Sequence, residues 1–200
     1  MKAKRLALGL WIGTIAYWPL QVLVARSWPE PYSIRDNLIS DLGAVTCTEV
    51  CSPSHALMNA TFIGVGGATA IGAAILGRQA AGSTARGGYV LVALSGLCTI
   101  AVGLLPLDRA STAHTISAQA HFGLQVAGMI ALAVAYRHSR PGLATWSAAA
   151  TVVSIVGGIA FVSEGYWGLG AGYSERIALD TLNVWTIGAA IGLARSTSVR

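Results

Sequence analysis

The sequence predicts an all-α integral membrane protein, in which residues 1–200 form one domain with six transmembrane helices. First, 54% of the residues are hydrophobic and only 10% are charged, with a mean hydropathy of +0.62, whereas soluble domains carry about 25% charged residues. Second, the apolar residues gather into six runs, each near the roughly 20 residues with which a helix crosses a bilayer. Third, the basic residues follow the positive-inside rule.

The six apolar runs define the predicted helices in chain order. They span residues 6–25, 56–76, 87–105, 117–136, 143–162 and 177–193. The first run follows MKAKR, but it is too long for a signal peptide and no small-x-small cleavage pattern follows it, so we expect a retained helix. The last run is the shortest and contains Asp180 and Asn183.

Lysine and arginine orient the predicted helices. With the N-terminus inside, the inner segments hold nine of the 13 basic residues: Lys2, Lys4, Arg5, Arg78, Arg86, Arg137, Arg140, Arg195 and Arg200. The outer segments hold Arg26, Arg35, Arg109 and Arg176. This bias predicts a multi-pass protein of the plasma membrane with both termini in the cytoplasm. Because the net charge of +5 comes from residues that flank the membrane, no nucleic-acid partner is expected.

The acidic residues are confined to the predicted outer side. They are Glu30, Asp36, Asp41, Glu49, Asp108, Glu164, Glu175 and Asp180, and His55, His114 and His121 lie on the same side. Longer and more polar outer loops would explain this distribution without any function. We favour a site that faces outward, because ionisable groups near a bilayer often mark function.

Three of the predicted helices carry a polar stripe that starts at the outer surface. Spacings of four, seven and eleven residues bring side chains to one helix face. The stripes are His55 and Asn59; His114, His121 and Gln125; and Arg176, Asp180 and Asn183. Since polar groups in hydrocarbon are costly unless they face each other or water, we expect a polar cavity that opens outward between these helices.

The first outer loop contains a segment, residues 33–42, with an amphipathic pattern. At 100° per residue its polar side chains fall within one arc: Ser33, Asp36, Asn37, Ser40 and Asp41. The segment therefore predicts a short amphipathic helix. Surface-binding helices usually show lysine and arginine on the polar face, so we favour a lid or re-entrant helix whose polar arc faces the cavity over a helix lying on the leaflet.

Cysteines follow in the same loop. Cys47 and Cys51 face an oxidising compartment, where a local disulfide is expected, with free thiols or a metal clip as alternatives. Cys98 lies within the third apolar run and is expected to be a small core residue.

Three segments carry a resemblance that covers nearly the whole chain. They are YSIRDNLISDLGA, SPSHALMNATFIGVG and GLLPLDRASTAHTISAQAHF. Together they resemble the bacterial and archaeal membrane family catalogued as domain of unknown function 998, which is similar in layout to the six-helix Frag/DRAM/Sfk group. Some members of that group are linked to lipid-anchor remodelling. The resemblance implies a six-helix bundle and marks Asn37, Ser40, Asp41, Asp108, His114 and His121 as pattern positions, but it supplies no activity.

The predicted catalytic residues are Asp41, His114, His121, Ser40 and Asn37. A carboxylate and a histidine in a semi-buried pocket can act as orienting group and base, so Asp41 with His114 or His121 is the pair that we favour. Ser40 could be a nucleophile if a histidine reaches it. For Ser40 we nevertheless prefer a helix cap or a hydrogen bond to the backbone.

The residues predicted to bind substrate are His55, Asn59, Asp108, Arg109, Gln125, Glu175, Arg176, Asp180 and Asn183. The two arginines could hold a phosphate or carboxylate headgroup, or they could form ion pairs with neighbouring carboxylates. No cofactor is expected. Zinc is disfavoured because His114 and His121 stand about 10 Å apart along the helix axis, whereas paired ligands usually sit three or four residues apart. Haem between them is less favoured still.

These residues predict an enzyme that acts on a lipid or prenyl-type substrate at the outer leaflet. The expected chemistry is acid/base-assisted hydrolysis, group transfer or cyclisation. The alternatives are a small transporter, a lipid-binding accessory protein or a structural subunit. Polar groups confined to the outer half of the bilayer count against transport. Membrane lipids are the expected partners, and the sequence predicts no oligomeric state.

Overall fold

A computed structural model describes residues 2–47 and 51–195 of the chain. Its helices are α1 (Lys2–Gly13), α2 (Tyr17–Ala25), α3 (His55–Gln79), α4 (Ser83–Leu104), α5 (Ser111–Tyr136), α6 (Pro141–Val162) and α7 (Ala171–Arg195). A single 3-10 turn, Thr14–Ala16, joins α1 to α2, so these two helices form one continuous stretch. The described residues contain no β-strand.

Six helical stretches in the described part of the chain are long and apolar enough to cross a membrane, the first being Lys2–Ala25. The prediction of an all-α protein with six spans is confirmed. Several helices extend beyond their apolar runs. The fourth predicted span begins at residue 117 but α5 begins at Ser111, and the last begins at residue 177 but α7 begins at Ala171. These additional polar turns carry His114 and Glu175.

Close helix packing depends on glycine where α3 meets α4. A Cβ atom added at Gly66 would lie 2.5 Å from the carbonyl oxygen of Gly96, and one added at Gly96 would lie 2.6 Å from that of Gly66. Small residues at a helix interface let membrane helices approach closely. The pair therefore holds α3 and α4 in direct backbone contact.

The first outer loop contributes to the hydrophobic core. Ile39 and Leu42 are almost fully buried and pack in one cluster with Tyr17, Met58 and Phe62. A separate cluster lies further along the bundle and includes Trp11, Tyr89 and Trp185. Burial of Ile39 and Leu42 fixes the position of the residues between them.

The predicted single helix over residues 33–42 is wrong. The structure has a turn at residues 34–36, followed by a short 3-10 helix, Ser40–Gly43. The loop still covers one end of the bundle, but it does so as an irregular segment.

Two polar side chains of this segment bond its own backbone amides. The Oδ1 atom of Asn37 accepts a hydrogen bond from the N–H of Ser33 at 2.8 Å, and the Oδ2 atom of Asp41 accepts one from the N–H of Leu38 at 2.8 Å. Short polar side chains compete with helix formation by this mechanism. A pattern of polarity alone does not detect the competition.

A disulfide joins Cys47 to Cys51. Cys98 is a free cysteine of intermediate burial on α4. The bridge lies just after the 3-10 helix and closes the last part of the loop before α3.

Candidate functional site

A serine and a histidine meet where the loop touches α5. The Oγ atom of Ser40 lies 2.9 Å from Nε2 of His114, and the His114 side chain is buried, with 3% of its surface exposed. The other ring nitrogen, Nδ1, lies 2.7 Å from the backbone carbonyl oxygen of Leu105. The preferred interpretation of Ser40 as a cap or backbone-bonded residue is therefore replaced by a bond to an imidazole.

The carbonyl partner determines which ring nitrogen carries the proton. A carbonyl oxygen only accepts hydrogen bonds, so Nδ1 of His114 must donate. In the neutral imidazole, Nε2 is then an acceptor, and the hydroxyl of Ser40 donates to it. In this tautomer the histidine is able to take a proton from the serine.

The end of α4 supplies the carbonyl group. Leu105 precedes Pro106, and a residue before proline is disfavoured in the helical conformation. Leu105 adopts φ −121° and ψ 75°, outside the helical region. Its carbonyl therefore leaves the helical pattern and becomes available to His114, nine residues further along the chain.

Glu175 holds the neighbouring residue of the loop. Its Oε2 atom accepts a hydrogen bond from the N–H of Ile39 at 2.5 Å, and only 6% of Glu175 is exposed. This bond fixes the backbone directly before Ser40 against α7. Glu175, predicted to bind substrate, instead binds the protein's own backbone through this oxygen.

Arg176 is the second anchor from α7. Its guanidinium donates to the carbonyl oxygens of Ile34 at 3.2 Å and Asn37 at 3.1 Å, and to the hydroxyl of Tyr32. Burial raises the pKa of Tyr32 to about 12, although Arg176 acts in the opposite direction. The phenol therefore stays protonated at neutral pH, and it donates to the carbonyl of Leu38 at 2.8 Å.

Arg176 does not form the ion pair with a neighbouring carboxylate that was the alternative to headgroup binding. Within the described residues, the ion pair that forms is Arg35 with Asp36, at 3.9 Å on the surface. The Nη1 atom of Arg176 bonds carbonyl oxygens of the loop. This nitrogen therefore binds neither a headgroup nor Asp180. The side chain of Arg109 is exposed and makes no hydrogen bond or ion pair within residues 2–47 and 51–195.

Asp41 does not reach either histidine. Its side chain accepts a hydrogen bond from Leu38 within the loop, and burial raises the pKa of Asp41 above its ordinary value. In the described part of the chain, neither histidine forms a hydrogen bond with it. The predicted pair is corrected: the backbone carbonyl of Leu105, rather than a carboxylate, orients His114.

The two histidines of α5 have different neighbours. Nδ1 of His121 lies 2.9 Å from Oγ1 of Thr99 and 3.3 Å from the carbonyl oxygen of Ser95, both on α4. The Oγ of Ser95 also donates to Gln125 at 2.8 Å. His121 and Gln125 thus belong to a polar network between helices. Of the two histidines of α5, His114 is the one that forms a hydrogen bond with the loop in the described structure.

Ser40 separates two spaces. A cavity of about 70 Å³ lies behind it, and its mostly apolar walls also include the polar residues Thr99, His121, Gln125, Glu175 and Asn183. The loop forms one wall of this cavity through Ile39 and Ser40. The predicted outward opening is therefore covered by the loop.

The second space is an apolar groove of about 470 Å³ that runs beside α5 and α6. Its walls include Ser40, His114, Phe122, Ile155, Ile159 and Val162. The last three are exposed on α6, on a surface that a bilayer would cover. Ser40 and Glu175 line both spaces, so Ser40 stands between the cavity and the lateral groove.

Two predicted binding residues serve as ties for the loop. The Nδ2 atom of Asn59 donates to the carbonyl of Gly43 at 2.9 Å. The carboxylate of Asp108 accepts bonds from the N–H of Val45 at 3.1 Å and from the N–H and hydroxyl of Thr46, each at 2.6 Å. Partial burial alone would raise the pKa of Asp108, but these hydrogen bonds outweigh it and lower that pKa.

Other predicted binding residues lie apart from Ser40. Asp180 accepts a hydrogen bond from Nε1 of Trp18 at 3.3 Å, at the interface of α7 with α2. Asn183 donates to a carbonyl of the first span at 3.3 Å, and its Oδ1 atom has no hydrogen-bond partner in the described structure. Nδ1 of His55 is buried and likewise without a partner among the described residues.

Sequence reasoning missed Tyr32 and the carbonyl of Leu105. The sequence did contain a signal for the Leu105 carbonyl. Pro106, two residues before Asp108, ends α4 and frees the carbonyl of the preceding residue near His114. Within residues 2–47 and 51–195, no three side chains of histidine, cysteine, aspartate or glutamate group together to hold a metal ion.

Comparison with known proteins gives one result. No curated protein and no solved structure matches the chain. The family model described as "Protein of unknown function (DUF998)" matches residues 11–192, a range that includes Ser40, Leu105 and His114. This confirms the resemblance found in the sequence, and the chain belongs to the DUF998 family.

Proposed function

We propose that this protein is an integral membrane enzyme that cleaves or transfers an acyl ester of a membrane lipid, with Ser40 as nucleophile and His114 as general base. The observation that carries the proposal is the 2.9 Å contact between Ser40 Oγ and His114 Nε2, with Nδ1 of the same ring held by Leu105. A purely structural serine needs only one backbone acceptor. This hydroxyl instead points at an imidazole in the tautomer that can accept its proton.

The reaction follows from these contacts. The Oγ of Ser40 attacks the ester carbonyl carbon while its proton moves to Nε2 of His114. The tetrahedral intermediate collapses, the leaving alkoxide takes that proton from His114, and an acyl group remains on Ser40. Water or an acceptor alcohol then attacks the acyl carbon, with His114 again accepting a proton and returning it to Oγ.

Leu105 replaces the carboxylate that completes the usual triad. Its carbonyl orients the ring and carries a partial negative charge toward Nδ1, so it stabilises the imidazolium less than an aspartate would. A modest turnover rate is therefore expected. This dyad favours ester chemistry over proton-initiated cyclisation, because a neutral imidazole is a base and not the strong acid that a cyclase needs.

The lateral groove supports a lipid as the substrate. Its volume of about 470 Å³ lies within the range of ligand pockets, which is roughly 300–1,000 Å³. An acyl chain could enter from the bilayer beside Ile155 and Ile159 and bring its ester to Ser40. The cavity of about 70 Å³ on the other side has room for water beside its few polar side chains, which favours hydrolysis over transfer.

Ser40 lies on the extracytoplasmic side of the plasma membrane in this proposal. The Cys47–Cys51 disulfide lies at the same end of the bundle and requires an oxidising compartment. Lysines and arginines concentrate at the opposite end, as expected for cytoplasmic segments. Both termini would then be cytoplasmic.

Labelling with a fluorophosphonate, which modifies activated serines, tests the dyad. We expect the detergent-purified chain to be labelled at Ser40, and both Ser40→Ala and His114→Gln to lose at least about 90% of the label because nucleophile or base is missing. Ser117→Ala is the matched control. Ser117 lies one turn beyond His114, is half-buried and bonds its own helix at 2.8 Å, so its loss should not change labelling.

The outcome that contradicts the dyad is equal labelling of the wild type and Ser40→Ala. If wild-type protein is not labelled but still copurifies with lipid, the runner-up gains support: a lipid-binding accessory protein or small transporter that uses the groove without chemistry. Release of free fatty acid from phospholipid vesicles, present in the wild type and absent in Ser40→Ala, would extend the result to a natural lipid class.

A further inference from the structure

A separate groove lies at the end of the bundle opposite Ser40. We propose that Arg78 and Arg86 bind the headgroup of an anionic phospholipid while one of its acyl chains lies in the groove between α3 and α4. The juxtaposition that carries the proposal is two arginines, with no carboxylate partner among the described residues, at one end of an apolar groove of about 780 Å³. This site does not depend on the chemistry proposed for Ser40.

The turn between α3 and α4 brings the two arginines together. Arg78 lies in the last turn of α3 and Arg86 in the first turn of α4, and both line the groove. The Nε atom of Arg86 donates to the carbonyl of Ala80 at 3.1 Å. This bond holds the guanidinium beside the turn, and its two terminal nitrogens have no protein partner within the described residues.

No protein carboxylate neutralises these charges in the described structure. Its ion pair is Arg35 with Asp36, and the acidic side chains with hydrogen bonds, such as Asp108 and Glu175, belong to the Ser40 end. Guanidinium groups match phosphate oxygens geometrically and can bind them in a bidentate manner. Basic pockets between membrane helices are typical binding sites of anionic headgroups.

The groove has the walls that an acyl chain needs. Small residues of α3 form its floor, with Ala70, Ala74 and Gly77 among them. Its rims include Ile71 and Leu97, whose side chains are 53% and 54% exposed although they are apolar. A hydrocarbon chain in the groove would cover both rims.

The length of the groove fits a lipid better than a partner helix. From Arg86 to Leu97 along α4 is about 16 Å at 1.5 Å per residue. That is about half of the roughly 30 Å hydrocarbon core, which is the depth of one leaflet. A transmembrane helix of a partner would need a surface that continues through the second leaflet.

The Ser40 end is too distant to share this ligand. Asn59, which contacts the loop at Gly43, and Arg78 are at opposite ends of α3, about 28 Å apart along its axis. A lipid at Arg78 therefore cannot place its ester at Ser40. Loss of one site should leave the other intact.

Native mass spectrometry of the full chain in detergent tests the proposal. Added phosphatidylglycerol should bind at concentrations at least about tenfold lower than phosphatidylcholine with the same acyl chains. Arg78→Gln with Arg86→Gln should bring phosphatidylglycerol binding down to the level of phosphatidylcholine. The matched control is Arg5→Gln with Arg137→Gln, which removes the same charge outside the groove and should leave the tenfold preference unchanged.

A filling variant tests the groove separately from the charges. Ala74 is exposed in the groove, so Ala74→Leu should fold normally and still weaken phosphatidylglycerol binding several-fold. Ala127→Leu, at an exposed position on α5, should not. Equal binding of the two lipids, equal losses in both arginine pairs, or no effect of Ala74→Leu would each overturn the proposed site. Soluble glycerol phosphate should fail to compete, because it lacks the chain.

Discussion

The two ends of the helix bundle use their charged residues in opposite ways. At the Ser40 end, Glu175, Arg176 and Asp108 turn toward the protein and bond backbone groups of the loop. At the other end, Arg78 and Arg86 line an apolar groove, and within the described structure neither forms an ion pair. Glu175, Arg176 and Asp108 are therefore structural, whereas Arg78 and the terminal nitrogens of Arg86 are available to a lipid headgroup.

The difference follows from the lengths of the connections. The turn between α3 and α4 needs few side-chain partners, because its helices satisfy most backbone groups themselves. The loop between α2 and α3 is long and irregular, and its buried N–H and C=O groups must find partners elsewhere. Side chains of α3, of α7 and of the α4–α5 connection supply them, so substitutions should be costly at the loop end and mild at the other.

The largest expected effect comes from replacing one arginine by glutamine, at the Ser40 end in one variant and at the opposite end in another. Arg176→Gln leaves the carbonyls of Ile34 and Asn37 short of a donor, and we expect it to cost about 2–3 kcal/mol of unfolding free energy. Arg137→Gln, at the exposed end of α5, should cause no measurable change. Thermal unfolding in detergent checks both. Equal losses would break the comparison between the two ends.

Glu175 gives the next effect in size. Glu175→Leu removes the acceptor of the Ile39 N–H, and an unsatisfied buried donor costs about 1–3 kcal/mol. Glu175→Gln keeps an oxygen acceptor and should lose less than half as much. Because Ile39 precedes Ser40, the rate of fluorophosphonate labelling should follow the same order. If Glu175→Leu and Glu175→Gln behave alike, the hydrogen bond between Glu175 and the Ile39 N–H does not hold the loop.

The smallest effect concerns Asp41 and depends on pH. Burial raises the pKa of Asp41 in the folded chain above its ordinary value of 3.8. The charged form is therefore disfavoured by folding, and its cost to stability is present at neutral pH and fades as pH falls through the folded pKa.

Asp41→Asn keeps an acceptor for Leu38 and removes that charge. We expect it to raise the thermal midpoint slightly at pH 7, with the difference fading as pH falls through the folded pKa of Asp41, and to leave Ser40 labelling intact. Glu164→Gln, an exposed change of the same charge, is the control and should not shift the midpoint. A loss of labelling in Asp41→Asn would restore Asp41 to the catalytic group.

The six spans could be predicted because each is a continuous apolar run, which needs no knowledge of partners. Which side chains contact each other within the site could not be predicted. A spacing of seven positions places His114 and His121 on one face of α5. They are nevertheless about 10 Å apart along the helix axis, so they contact different neighbours. The amphipathic pattern over residues 33–42 failed because Asn37 and Asp41 bind backbone amides, which a helical projection does not represent.

The carbonyl of Leu105 gives the site an unusual genetic property. The group that orients His114 belongs to the main chain, so every substitution at position 105 retains it. A scan of side chains would pass over this position and credit the histidine alone. Control over the orientation of the base lies with the backbone torsion that Pro106 imposes, so Pro106→Ala, which relaxes that torsion, would be expected to change the ring's partner although the carbonyl at position 105 is retained.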